Sequence, residues 1–151
     1  MKPLRLLFAA LFVSVTPLAI AAEGLVTISS PLDAKNTMNR FEELAKARGL
    51  TMSARVDHAA GVVKAGKTLR PTEVLISGNP QGGTPLLECA QSAGIDLPLK
   101  ALVWEDVSAK VWLGYNDPAH LAKRHDLALR PAIEILRKAL SSLADAAIAR
   151  Q

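Results

Sequence analysis

The chain has 151 residues, half of them hydrophobic and 21% charged, with a formal net charge of +4. That balance fits a folded globular chain and excludes a disordered one. The single cysteine, Cys89, excludes an intramolecular disulfide and any CxxC or Cys/His ligand pattern.

The opening segment, "MKPLRLLFAALFVSVTPLAIAAEG", carries Lys2 and Arg5, an apolar run from Leu6 to about Val15, and the small residues Ala19, Ala21 and Ala22. This is the layout of a secretory signal peptide over residues 1–22, with cleavage after Ala21 or Ala22. The apolar run is broken by Ser14, Thr16 and Pro17 and is short for a bilayer span. Loss of residues 1–22 removes two cations and no carboxylate, leaving 16 basic and 14 acidic side chains. The remaining chain, 23–151, reads as one domain that is periplasmic or secreted, with no membrane segment after cleavage. It has no basic patch, and its aromatics are Phe41, Trp104, Trp112 and Tyr115; nothing points to nucleic acid.

In chain order, "GLVTISS" (24–30) alternates and is rich in β-branched residues, predicting a strand. Met38, Phe41, Leu44 and Ala45 then recur at helical spacing, with Asp33 or Asn36 to cap the helix and Gly49 to end it. "TMSARVDH" alternates again, placing Met52, Ala54 and Val56 on one face and Ser53, Arg55 and Asp57 on the other, a strand with one wet face. "AAGVVKAG" suits either a short helix or an irregular crossing. "TEVLISG" (72–78) is a continuous apolar strand, expected in the sheet interior. "TPLLECAQSAG" predicts a short helix with Thr84 as N-cap, Pro85 at the first helical position and Gly94 as terminator. "KALVWED" and "KVWLGYND" form a hairpin about a turn at 106–109. Asp117-Pro118 starts a helix. Pro131 starts another, striped by Ile133, Leu136, Leu140, Leu143, Ala144 and Ala147; it must cover either the sheet or a second copy. The order β-α-β-β-α-β-β-α-α predicts an α+β two-layer sandwich.

Four segments together, "VDHAAG" (56–61), "LRPTEVLISGNPQGGTPLL" (69–87), "DLPLKALVWED" (96–106) and "VWLGYNDP" (111–118), resemble the domain-of-unknown-function 302 family of bacteria and archaea. The resemblance implies an α+β fold, seen as small domains that often pair as dimers. It implies no activity, and no catalytic residue is carried over from it.

Candidate sites follow from residue type. The strand–glycine–helix stretch "ISGNPQGGTPLL" invites a phosphate-loop reading. However, no Lys-Ser or Lys-Thr follows Gly83, and the spacing of Gly78, Gly82 and Gly83 is not GxGxxG. A tight turn is the first expectation, and a small polar or anionic ligand at the helix start is the second. Asp57 and His58 offer an acid/base pair or a ligand, although neighbours on a strand point to opposite faces. His120 and His125 are spaced five apart, a poor helical chelate, and read as solvated or packing residues. Trp104, Trp112 and Tyr115 read as core, or as the wall of a pocket or dimer interface. Glu105 and Asp106 read as solvated turn residues, and Cys89 as a buried thiol. No pattern calls for a cofactor or a metal.

The functional expectation is therefore an exported binding or interaction domain, a homodimer, with ligand-binding candidates Asp57, His58, Asn79, Gly82, Gly83, Thr84, Tyr115 and Asn116 converging at strand ends. The alternatives are an enzyme using His58 as acid, base or ligand beside the Gly-rich loop, and an envelope stress or assembly partner. The sequence names no activity.

Overall fold

The computed structural model describes residues 22–127 and 130–150. The leader expected over 1–22 lies, except for Ala22, outside them.

Five strands form one antiparallel sheet: β1 (Leu25–Ser30), β2 (Thr51–Asp57), β3 (Thr72–Gly78), β4 (Leu99–Glu105) and β5 (Val111–Asn116), in the spatial order β1-β5-β4-β3-β2. β1 and β2 are thus the two edges, although they follow each other in sequence. The helix between them, α1 (Ala34–Ala47), must cross the whole sheet. Its 14 residues rise about 21 Å, enough to span four strand spacings of about 4.8 Å. Asp33 caps it, accepting from the Asn36 amide at 2.8 Å. Its end is closed by paired bonds from Gly49 N to Lys46 O and Leu50 N to Ala45 O. Gly49 supplies the left-handed φ of +78° that this closure requires.

The long C-terminal helix, α5 (Arg130–Ile148), lies beside α1. Its striped residues Leu143, Ala144 and Ala147 bury with Phe41, Met38 and the sheet residues Leu75, Val103 and Leu113 in one core. The α+β two-layer arrangement follows: one sheet and one helical layer on one of its faces. The striped helix covers the sheet.

The shorter helices are α2 (His58–Lys64), α3 (Pro80–Cys89), a single 3-10 turn (Gln91–Ile95) and α4 (Pro118–Arg124). α3, the 3-10 turn and α4 gather at the sheet end where β3 and β5 finish and β4 starts. There Leu86, Leu127 and Ile133 make a second, smaller core.

Two expectations change. The Gly-rich stretch is not a turn before a helix starting at Thr84. The helix begins at Pro80, capped by Asn79, whose side chain accepts from Gln81 N at 2.8 Å. Pro80 takes the first helical position, where its missing amide costs nothing. Gly82 and Gly83 donate to Asn79 O, and Thr84 and Pro85 lie inside the helix. Second, β2 does not alternate strictly. Met52 pairs with Ser77 and Ala54 with Ile76, leaving Ser53 as an unpaired bulge residue. Met52 therefore shares the helix-side face with Arg55 and Asp57, while Ala54 and Val56 point to the opposite face.

Candidate functional site

The residues singled out from the sequence do not meet. Asp57 ends β2 and His58 opens α2, beside the start of β3, where Asp57 pairs with Glu73. Asn79, Gly82, Gly83 and Thr84 follow the other end of β3, and Asn116 ends β5 next to Leu25 at that same sheet end. A seven-residue strand separates the two groups by about 20 Å. His58 is exposed at the first position of α2, where Asp57 caps the helix through Ala60 N at 2.9 Å. His58 and the Gly-rich segment therefore do not form one site. Tyr115 is buried in the main core, and burial pushes its phenol pKa up. His120 lies against Gly24, leaving no room there for a Cβ. Cys89, expected buried, is exposed.

Near Asp57 the bulged strand aims Arg55 at the helical layer. Its guanidinium grips Glu73 with Nε and Nη2 at 2.5 and 2.8 Å, and donates from Nη1 to Asn39 and Glu42 at 2.8 Å each. The bidentate Glu73 pairing, ahead of Glu42, raises the Arg55 pKa further. Lys46 and then Arg55 lower that of Glu42. An open cleft of about 330 Å³ beside this network is lined by Ala34, Lys35, Arg55, Asp57, Thr72 and Glu73. Of its two cations, Arg55 is already tied to the carboxylates of Glu73 and Glu42. Among the described residues no group of three or more His, Cys, Asp or Glu side chains could hold a metal ion.

The second feature is the sheet face away from α1 and α5. The register places Val74 opposite Leu102, Leu102 opposite Gly114, and Trp104 opposite Trp112. The two indoles stack at 6.4 Å with planes 20° apart. Gly114 makes room for this arrangement: a Cβ there would lie 2.9 Å from the Trp104 ring. Trp112 Nε1 donates to Asp106 at 2.8 Å, and Lys110 Nζ stands 4.2 Å over its ring. That bond, ahead of the Lys110 amide, lowers the Asp106 pKa. All these apolar side chains stay partly exposed, and Val56 at the edge is 41% exposed. Lys100 is the one charged strand residue on this face among those described, and its Nζ turns to the carbonyls of Asp96 and Pro98. Trp104 and Trp112 are thus neither core nor pocket wall. They belong to an apolar surface, while Tyr115 belongs to the core.

The third feature was invisible in sequence. His125, at the end of α4, is buried between Ser92 and Asp96 of the 3-10 turn region. Nδ1 lies 3.0 Å from Ser92 Oγ and Nε2 lies 2.7 Å from Asp96 Oδ2. Arg124 Nη1 holds the other Asp96 oxygen at 3.1 Å. Separations of 29 and 33 residues leave no spacing pattern by which to find it.

Comparison with known proteins adds the following. Residues 26–146 match the family described as "Domain of unknown function DUF302". A solved structure described as an uncharacterized conserved protein DUF302 from Bacillus stearothermophilus superposes with a TM-score of 0.75 at 22% identity, covering 83% of this chain and 99% of that one; it shows the same fold. Proteins named "Fluoride-specific ion channel FluC 1" from Brucella suis and Brucella abortus are each 48% identical over 117 residues, 78% of this chain. The match spans 46% and 43% of their lengths, so the chain covers less than half of each. Among the described residues no helix is long and apolar enough to cross a membrane.

Proposed function

The chain belongs to the DUF302 family of domains of unknown function, and from that premise we propose that it is an exported interaction domain that pairs with a second copy of itself through the uncovered face of its sheet. The face carries the proposal: its centre is apolar, Lys100 is the one charge its described strands bear, and among the described residues the long helices α1 and α5 both lie on the other side. An antiparallel sheet with one solvated face normally bears polar side chains there. Contiguous apolar surface on this scale marks an interaction site. Five strands of six or seven residues present a footprint of about 500 Å², so a face-to-face pair buries about 1,000 Å². That reaches the lower bound for a specific interface. The stacked Trp104 and Trp112 supply the aromatic anchors typical of such contacts.

Export rests on residues 1–22, and the site of action is then periplasmic or secreted. The Brucella proteins bear the name of a fluoride channel, and the matching segment is under half of each. In our reading the domain is the accessory part of those proteins, with conduction in the remainder.

The test is sedimentation equilibrium on residues 23–151. A dimer is expected for the wild type. Leu102→Arg, at the middle of the open face, is expected to be a monomer with an unchanged circular dichroism spectrum. A wild-type protein that stays monomeric at ~100 μM overturns the reading. N-terminal sequencing of protein from the periplasmic fraction checks export: a start at Ala22 or Glu23 is expected, and an intact Met1 overturns it.

A further inference from the structure

We propose that Ser92, His125 and Asp96 form a nucleophilic site that accepts small acyl esters. The site is separate from the open sheet face. Its three groups stand in the order nucleophile, base and orienting carboxylate. Asp96 is fixed on one side by Arg124 and accepts from His125 Nε2 on the other. That contact sets the tautomer: the proton sits on Nε2, and the Nδ1 lone pair faces Ser92 Oγ at 3.0 Å. The two ring nitrogens exchange the places they hold in the serine-protease arrangement, but the logic is the same, because roles rather than positions define a triad. Exposure follows function. The His125 side chain is 6% exposed and Asp96 13%, shielding the relay, while Ser92 is exposed to a reactant. Leu87 of α3 and Ile95 of the 3-10 turn are 38% and 71% exposed. Leu87 lies against Gly94 in the same turn. Together they offer an apolar landing for a short acyl chain rather than a deep pocket.

The chemistry balances without a cofactor. Ser92 Oγ attacks the ester carbonyl carbon as its proton passes to His125 Nδ1. The bond to the alcohol oxygen breaks, and the alcohol leaves with that proton. A water molecule then gives a proton to Nδ1 and attacks the acyl-serine, the bond to Oγ breaks, and Ser92 recovers the proton. Ester and water become acid and alcohol. Ser92 and His125 are the catalytic residues, and Asp96 is a positioning residue.

The test uses residues 23–151 carrying Cys89→Ser, which removes the exposed thiol as a competing nucleophile. The protein is treated with a fluorophosphonate probe, which releases fluoride when a serine oxygen bonds its phosphorus. Peptide mass spectrometry then locates the label. Label on Ser92 is expected, absent in Ser92→Ala and slowed about a hundredfold or more in His125→Ala. Asp96→Asn is expected to slow labelling, and Asp96→Glu to restore part of it. A merely structural bolt predicts no such recovery of rate. Loss of ester hydrolysis in Ser92→Ala, with an unchanged melting temperature, completes the support. No label on Ser92 of the folded wild-type site, or equal labelling of other surface serines, overturns the proposal. Neither outcome touches the oligomeric state, so the two proposals fail separately.

Discussion

The two faces of the sheet are built from the same five strands and each has an apolar centre, yet only one is closed. On the helical side Leu75, Val103 and Leu113 are completely buried under α1 and α5. On the other side Val74, Leu102, Trp104 and Trp112 remain partly exposed. Strands apolar at both parities usually belong to sheets covered on both faces. The described chain has two long helices, and both lie on one side. The contrast teaches that the apolar pattern of the sheet extends beyond what its own helical layer covers.

Substitutions matched across the sheet break or sharpen this contrast. The largest effect is expected from Leu113→Ala on the closed face, about 3–4 kcal/mol of lost stability in denaturant unfolding, because no solvent or mobile neighbour fills the space. Leu102→Ala on the open face is expected to cost a monomer less than about 1 kcal/mol, while weakening self-association in sedimentation; equal losses at the two positions would abolish the distinction. Next is Gly114→Ala. Its new Cβ must displace the Trp104 ring from 2.9 Å, an overpacking cost of about 1–3 kcal/mol, read by unfolding and by a shift in tryptophan emission. The smallest effect is electrostatic. Trp112→Phe removes the foremost cause of the lowered Asp106 pKa. A depressed carboxylate contributes stability that is present above its unfolded pKa and lost as pH falls through the folded one. The variant is therefore expected to show the Asp106 carboxyl titrating at higher pH by NMR, with a smaller loss of stability on acidification.

Most of the architecture was legible because it is local. β1, β3, the hairpin and α1 with its Asp33 cap and Gly49 terminator are written in short-range periodicity and capping chemistry. The sequence places the start of α3 at Thr84 because Gly82 and Gly83 read as a turn. The Asn79 cap with Pro80 behind it outweighs their weak propensity. Strict alternation puts the β2 residues beyond Ser53 on the wrong faces, since a bulge leaves no mark in an alternating sequence. The site was the least legible part. Asp57–His58 and Asn79–Thr84 are conspicuous in sequence but are held at opposite ends of β3 by its length. Ser92, Asp96 and His125 are inconspicuous and meet only because α4 folds back on the 3-10 turn.

The unpaired residue at Ser53 has a further consequence for how molecules can join. β1 and β2 are both rims of an open sheet, and a rim with a regular row of free amides and carbonyls invites strand addition without limit. At β2 that row is interrupted near its start by the bulge, and Arg55 further along is tied into a carboxylate network. Growth into a continuous ribbon is thereby discouraged along this rim. In the face-to-face pair proposed above, pairing uses up its own surface and stops at two, which favours a closed particle over a fibre.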